Sequence, residues 1–227
     1  MGGGYAGGME TREVTIPVVE GGLTADVIMP TGAKGVVLFA HGSGSSRHSP
    51  RNVAVAHQLN DRMLATVLVD LLTPDEDVLD AQTAELRFNI GMLAERLAAI
   101  VDWMGEESTL RRLPVGLFGA STGAAAALVA AASRPDRVAA VVSRGGRPDL
   151  AGKALSAVRA PTLLLVGGLD EEVIVLNEQA RAELGDVAEL RIVPGATHLF
   201  EEPGTLDQVA DQAGTWFTTH LRTPHPA

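Results

Sequence analysis

The 227 residues are enough for one large domain, and 46% of them are hydrophobic, as in a globular protein. The net charge of -10 argues against general binding to nucleic acid or an anionic membrane, because both need clustered Lys and Arg. The absence of cysteine excludes disulfides, thiolate metal ligands and a cysteine nucleophile, and it fits a reducing compartment such as the cytoplasm. No segment has about 18 consecutive apolar residues, so we expect no membrane span.

Apolar and β-branched runs, separated by helical patterns, organise the chain. The predicted strands cover residues 13–19, 23–29, 36–40, 66–69, 115–118, 138–142, 162–166 and 190–193, the first two joined at a Gly-Gly turn. The predicted helices cover residues 50–62, 79–104, 121–133, 171–184 and 205–221. We expect tails at residues 1–10 and 223–227 and one α/β domain at residues 11–222. Its sheet is predicted to be mostly parallel, with about eight strands, an antiparallel opening pair, helices on both faces and no lid domain.

A Gly-x-Ser-x-Gly motif, Gly119 to Gly123, follows one predicted strand and precedes a helix. This strand–turn–helix context is the one in which such a serine acts as a nucleophile. The turn leaves no room for side chains beside the serine, which explains the glycines. The motif therefore predicts Ser121 as the nucleophile and the backbone N–H of Thr122 as the first oxyanion donor.

A serine nucleophile needs a general base, and only three of the six histidines follow Ser121 in the chain. His220 lies in the terminal predicted helix, and His225 lies in a proline-containing tail. His198 lies in a glycine-containing loop just after the last predicted strand. Because active-site loops lie at the carboxyl ends of parallel strands, His198 is the predicted base.

The acid that orients the base is predicted at Asp170, which follows the strand at residues 162–166. Glu171 and Glu172 are alternatives, although carboxylates are also favoured in the first turn of a helix. Asp170 could instead serve only as that helix's N-cap. With His198 as base, the motif predicts attack on an acyl carbonyl and hydrolysis of an acyl-enzyme.

A His-Gly-x-Gly loop at His41 follows the third predicted strand, where such loops supply the second oxyanion donor. We expect Ser43 to supply that N–H, with Gly44 as the alternative, and His41 to shape the loop. Its glycines, serines and Arg47 could also form a phosphate cradle, but no Gly-x-x-x-x-Gly-Lys motif is present. Histidine spacing does not match a metal site, so no metal is predicted.

Basic residues follow two of the predicted strands: Arg47 and His48 in the first loop, and Arg144 and Arg147 after residues 138–142. In an acidic protein, such residues at one sheet edge favour an anionic or polar substrate. We name Gly44, Arg47 and Arg144 as candidate substrate-binding residues. Pairing of these arginines with surface carboxylates is the alternative.

Together the HGSGSS loop, Gly-Ala-Ser-Thr-Gly, Gly-Gly-Leu-Asp and Gly-Ala-Thr-His resemble the dienelactone hydrolase-like branch of the α/β-hydrolase superfamily. The resemblance implies an α/β-hydrolase fold and a cofactor-free triad of Ser121, Asp170 and His198. Dienelactone hydrolases use a cysteine nucleophile, whereas residue 121 is serine here. We therefore expect hydrolysis of a small carboxylic ester rather than of the lactone, by a monomer or homodimer.

The HGSGSSRHSPRN stretch is also similar to hydrolases that are sometimes joined to phosphoribosyltransferase domains. No such domain is expected in these residues, which the hydrolase domain and its tails fill. Acyl transfer to another acceptor, or peracid formation, would use the same triad and stays an alternative. A non-catalytic binding protein with this fold is the other alternative, and a lipase is disfavoured because no lid segment is predicted.

Overall fold

The computed structural model describes residues 8–18 and 21–222, and the strands in these residues form one eight-stranded sheet. The strands are β1 (Met9–Val18), β2 (Gly21–Pro30), β3 (Gly35–Ala40), β4 (Leu64–Val69), β5 (Val115–Ala120), β6 (Val138–Arg144), β7 (Thr162–Gly167) and β8 (Ala188–Val193). Their order in the sheet is β1-β2-β4-β3-β5-β6-β7-β8. Strands β3 to β8 are parallel, and β2 pairs antiparallel with both β1 and β4. The predicted sheet is confirmed.

The first strand begins earlier than predicted, because Met9 and Glu10 already pair with β2. The predicted tail at residues 1–10 is therefore wrong at these two positions. Residues 1–7 of the predicted N-terminal tail lie outside the described residues. So do residues 19–20 and the predicted C-terminal tail at residues 223–227. The β1–β2 pairing runs from Met9 opposite Pro30 to Val18 opposite Gly21, so the Gly-Gly pair belongs to β2.

Six α-helices lie in the described part of the chain, together with shorter 3-10 segments. The helices are α1 (Pro50–Asp61), α2 (Pro74–Thr83), α3 (Ile90–Glu106), α4 (Thr122–Ser133), α5 (Glu171–Leu184) and α6 (Thr205–His220). The 3-10 segments are Leu86–Phe88, Pro148–Ala157 and Gly185–Val187. None of the helices in residues 8–18 and 21–222 is both long and apolar enough to cross a membrane.

The single helix predicted at residues 79–104 is wrong, because local capping divides this region. Thr73 and Glu76 form a reciprocal capping box that starts α2 before the predicted helix. Ala84 has a left-handed backbone with φ of 56°, which ends α2. Asn89 then accepts a hydrogen bond from the Met92 N–H and starts α3. The apolar periodicity that predicts this helix is present in α3, but it does not continue through the break.

The break is stabilised by Asp80, which is almost fully buried. Its carboxylate accepts hydrogen bonds from the backbone N–H groups of Leu86 and Arg87, and it pairs with the Arg87 guanidinium at 2.5 Å. Burial raises the pKa of the Asp80 carboxyl, but these hydrogen bonds outweigh it and keep the pKa below its usual value. The Asp80–Arg87 pair therefore fixes a turn beside the carboxyl ends of the strands.

Two apolar layers cover the sheet, and neighbouring residues of β5 point into opposite layers. Leu117 belongs to the layer with α3 and α4, where Leu97 and the alanines of α4 are buried. Phe118 belongs to the layer with α1 and α6, where it joins Phe39 and Phe217. Because β5 is buried on both faces, its carboxyl end is held rigidly at the centre of the sheet edge.

Candidate active site

Ser121 occupies a strained turn between β5 and α4, with φ of 50° and ψ of -123°. Positive φ is unusual for a residue with a side chain and occurs often at functional positions. A Cβ atom on Gly119 would collide with Ala124, and one on Gly123 would collide with the carbonyl oxygens of β3 and the following residue. The glycines are therefore required sterically, as the motif predicts, and the turn presents Ser121 at the sheet edge.

Asp170 and His198 form a direct pair, with 2.6 Å between Asp170 Oδ2 and His198 Nδ1. Asp170 follows β7 and precedes α5, but its side chain makes no capping hydrogen bond to that helix. Asp170 therefore occupies the N-cap position of α5, but its side chain bonds to His198 and does not cap the helix. A carboxylate on Nδ1 places the hydrogen there and leaves Nε2 free to accept a proton.

The loop that carries His198 is fixed by its own hydrogen bonds. Glu202 accepts from the backbone N–H of Thr197 at 3.1 Å and from the Thr197 hydroxyl at 2.6 Å. These hydrogen bonds lower the pKa of the Glu202 carboxyl. Sequence reasoning missed this pair, although a Thr followed five residues later by Glu around the base could have indicated it.

The last residue of β6 and the residues that follow it connect the serine to the histidine loop. The Ser121 N–H donates to the Arg144 carbonyl at 3.3 Å, and the Arg147 N–H donates to the Ser121 carbonyl at 3.1 Å. A Cβ atom on Gly145, which has φ of 49°, would lie 3.7 Å from the His198 ring. Ser121 and His198 therefore lie on two sides of the same short segment. Within residues 8–18 and 21–222 the Ser121 hydroxyl forms no hydrogen bond, so its bond to the base stays a prediction.

The predicted oxyanion loop lies against the nucleophile. A Cβ atom on Gly42 would lie 3.1 Å from Ser121 Cβ, so the next residue, Ser43, is close to the start of α4. The Ser43 N–H donates to the Thr122 hydroxyl at 3.0 Å. Gly44 instead has φ of 67° and lies beside the Arg87 guanidinium. Of the two alternatives for the second donor, Ser43 is thus the one bonded to the residue beside the nucleophile.

His41 shapes this loop, as expected. Its Nδ1 lies 2.9 Å from the Gly42 carbonyl, and its Nε2 lies 3.1 Å from the Leu71 N–H. Because a carbonyl only accepts and an N–H only donates, Nδ1 carries the hydrogen and the ring is neutral. Burial lowers the pKa of His41, which agrees with this neutral form.

The candidate substrate-binding arginines differ in their surroundings. The Arg47 guanidinium pairs with three carboxylates, those of Glu13, Asp26 and Asp70. Arg147 pairs with Asp149 at 2.8 Å. The contacts of Arg47 thus match the alternative in which the arginines pair with surface carboxylates.

Arg144 is only 7% exposed, and its Nε and Nη1 atoms have no hydrogen-bond partner in the part of the chain that the structure describes. Burial, together with the nearby charge of Arg51, lowers the pKa of Arg144 to about 10, so it is still charged at neutral pH. Arg144 is therefore the candidate whose positive charge is paired with no carboxylate in residues 8–18 and 21–222.

A cavity of about 690 Å³ opens beside Thr122 and the oxyanion loop. Its lining includes Leu71 after β4, Asp77 and Asp80 of α2, and Arg87 of the 3-10 segment that precedes α3. Sequence reasoning missed this part of the lining, because the helix predicted at residues 79–104 includes Asp80 and Arg87 and does not show the break between them. The Thr-Pro-Asp-Glu capping signal at residues 73–76 indicates a separate helix that begins there.

No cluster of three or more His, Asp or Glu side chains suited to a metal ion occurs in residues 8–18 and 21–222. The site consists of a strained serine, a histidine–carboxylate pair and an N–H-rich loop beside a cavity. These are the groups that acyl transfer needs.

The chain is similar to known hydrolases over nearly its whole length. The model of the dienelactone hydrolase family matches residues 23–218. A dienelactone hydrolase from Anabaena variabilis, known as a crystal structure, is 54% identical, with a TM-score of 0.93 and coverage of 94% of this chain and 99% of its own. Est1E from Butyrivibrio proteoclasticus shares the fold, with a TM-score of 0.77 at 16% identity and coverage of 92% and 98%.

A longer protein of Mycobacterium tuberculosis H37Rv, provisionally named a phosphoribosyl transferase, is 53% identical over 219 residues. The match covers 96% of this chain and 48% of that protein, so the chain spans about half the length of this relative. The transferase name belongs to the longer protein. From the family match and the 54% identical structure, the chain belongs to the dienelactone hydrolase family.

Proposed function

We propose that this protein is a serine hydrolase that cleaves a carboxylic ester of a small molecule through an acyl-enzyme. Ser121 is the nucleophile, His198 the base and Asp170 the orienting acid. The observation that carries this proposal is the 2.6 Å contact between His198 Nδ1 and Asp170 Oδ2, at the sheet edge where Ser121 has a positive φ.

The chemistry follows from the positions of the protons. With the Nδ1 hydrogen directed to Asp170, His198 Nε2 takes the Ser121 proton as the hydroxyl attacks the ester carbonyl. His198 then gives that proton to the departing alcohol. A water molecule attacks the acyl-enzyme by the same route, with His198 again as the base. Asp170 stabilises the imidazolium formed in each step.

Apolar side chains next to the catalytic pair suit the hydrocarbon part of a small ester. Leu169 precedes Asp170 and is 63% exposed, and Leu199 follows His198 and is 40% exposed. Exposed apolar residues beside a polar site often contact a ligand. Together with the cavity beside Thr122, they supply surfaces for the acyl and alcohol parts.

We further propose that Arg144 favours esters with a carboxylate. Its buried Nε and Nη1 atoms have no acceptor within the described residues, and its backbone at the end of β6 is bonded to Ser121. In Arg144→Met, kcat/KM for p-nitrophenyl hemisuccinate relative to p-nitrophenyl butyrate is expected to fall about 10- to 100-fold, the value of one charged hydrogen bond. Arg47→Met is the matched control, because Arg47 already pairs with three carboxylates. An equal ratio in wild type and Arg144→Met would refute the assignment.

Acyl transfer and peracid formation use the same groups, and no contact in the described residues favours either over hydrolysis. A non-catalytic binding protein would not need the orienting contact between Asp170 and His198. The cytoplasmic location and the monomeric or dimeric state stay predictions.

The proposal is tested by labelling with a fluorophosphonate probe, which reacts with activated serines. The wild type is expected to gain one probe, and peptide mapping is expected to place it on Ser121, with none on Ser121→Ala. A panel of p-nitrophenyl esters then gives the acyl-chain preference. A folded protein that is neither labelled nor active on any ester would favour the binding-protein alternative.

A further inference from the structure

The Thr122 hydroxyl can both accept and donate a hydrogen bond, and in the described residues it only accepts one. Its oxygen accepts the Ser43 N–H at 3.0 Å, and the side chain borders the cavity although the residue is only 5% exposed. The hydroxyl hydrogen donates to no acceptor in residues 8–18 and 21–222. A hydroxyl of a buried residue that borders a cavity and has no protein acceptor is available to donate to a bound ligand.

This hydroxyl belongs to the residue that directly follows the proposed nucleophile. Thr122 directly follows Ser121 and begins α4, so its own N–H points out of the helix start. Gly42 packs against Ser121, and the His41 ring fixes the Gly42 carbonyl, which brings Ser43 to the same place. The Ser43 N–H is therefore close to the nucleophile but is occupied by the Thr122 oxygen.

We propose that the Thr122 hydroxyl is a catalytic oxyanion donor, and that the Ser43 N–H acts on the oxyanion through it. The Ser43 N–H donates to Thr122 Oγ1, and the Thr122 O–H donates to the ester oxygen as this becomes negative. The Thr122 backbone N–H is the second direct donor. This inference rests on the proposed serine hydrolysis and names a donor that the loop motif does not contain.

The physical reason is cooperativity in a chain of hydrogen bonds. An O–H that accepts a hydrogen bond is a better donor, and a bond from O–H to a charged oxygen is stronger than one between neutral groups. The Ser43–Thr122 bond is already present before substrate binds, so little reorganisation is needed in the transition state. Through this relay the Ser43 N–H stabilises the oxyanion although it donates to Thr122 and not to the ester oxygen.

The relay and a direct Ser43 contact predict opposite results for Thr122→Val, which keeps the shape but lacks the hydroxyl. If Ser43 contacts the oxyanion directly, valine frees its N–H, and the rate should stay the same or rise. If the relay operates, valine removes a donor, and kcat should fall about 100- to 1,000-fold with little change in KM.

The experiment compares wild type, Thr122→Val and Thr122→Ser on one p-nitrophenyl ester and on its thiono analogue, whose sulfur is a poor hydrogen-bond acceptor. We expect Thr122→Ser to stay within about tenfold of wild type, and the oxo-to-thiono rate ratio to fall in Thr122→Val. Exchange of the Ser43 amide hydrogen is expected to speed up in Thr122→Val only. Thr219→Val, on the exposed surface of α6, controls for the substitution itself.

Retained or increased kcat in folded Thr122→Val would overturn the relay, while fluorophosphonate labelling of Ser121 would show that the proposed function stands. Absence of both labelling and turnover in the wild type would overturn the function and the relay with it. If Thr122→Val does not fold, Thr122→Ala replaces it, and a wild-type oxo-to-thiono ratio in that variant would count equally against the relay.

Discussion

Ser121→Ala is expected to lower kcat for ester hydrolysis about 10⁴- to 10⁶-fold, because no acyl-enzyme can form without the hydroxyl. The remaining rate would come from the oxyanion donors and from substrate binding. Steady-state kinetics on a p-nitrophenyl ester, with intact mass to exclude contaminating wild type, measures the loss. KM is expected to change little, because the hydroxyl contributes mainly after the substrate has bound.

Ser121→Gly is the matched variant for the strained turn. Ser121→Gly should be as inactive as Ser121→Ala. Its free energy of unfolding should be about 1 kcal/mol higher, because glycine adopts a φ of 50° without the strain that a side chain meets there. Denaturant unfolding compares the two variants. Substantial activity in either one would show that another residue is the nucleophile, and equal stability would mean that the turn carries no strain.

Asp170→Asn is expected to lower kcat about 10⁴-fold while leaving the fold intact. An asparagine can turn its N–H₂ group towards His198 Nδ1, which favours the tautomer with the hydrogen on Nε2. That tautomer cannot accept the Ser121 proton. The rate loss should diminish at high pH, where hydroxide can take the place of the base, so the pH profile of kcat separates this cause from misfolding.

The neighbouring carboxylates provide the control for Asp170. Glu171 and Glu172 lie in the first turn of α5, and the sequence left both open as alternative acids. Glu171→Gln and Glu172→Gln should retain kcat within about twofold, as most surface substitutions do. A large loss in one of these variants, with activity retained in Asp170→Asn, would move the acid to that position.

The sequence predicted the structure well wherever one local physical constraint determines a whole element. Buried parallel strands are continuous apolar runs, so the seven strands from β2 to β8 were predicted with ends that differ by at most two residues from those observed. Steric crowding at Gly119 and Gly123 made the turn at Ser121 readable. Chain order and strand ends then selected His198 and Asp170, which the structure brings to within 2.6 Å.

The sequence failed where a short-range signal competed with periodicity. Helix α3 has an apolar face that a period of 3.6 residues detects, but the pattern does not show that Ala84 reverses the backbone or that Asn89 starts a new helix. The cavity wall with Asp80 and Arg87 depends on that break. The sequence pattern alone therefore does not place Asp80 and Arg87 beside the cavity.

By itself, then, the sequence determined the eight-stranded α/β sheet, the nucleophile turn and the identities of the predicted base and acid, because these follow from residue size, strand burial and chain order. Only the tertiary structure decided how the charged and polar groups are partnered. Arg47 pairs with carboxylates from two strands and a loop, whereas the buried Arg144 pairs with none in the part of the chain that the structure describes. No pattern within one segment distinguishes the two arginines. Likewise, the Ser43–Thr122 bond joins residues 79 positions apart, and only packing of the loop against α4 creates it.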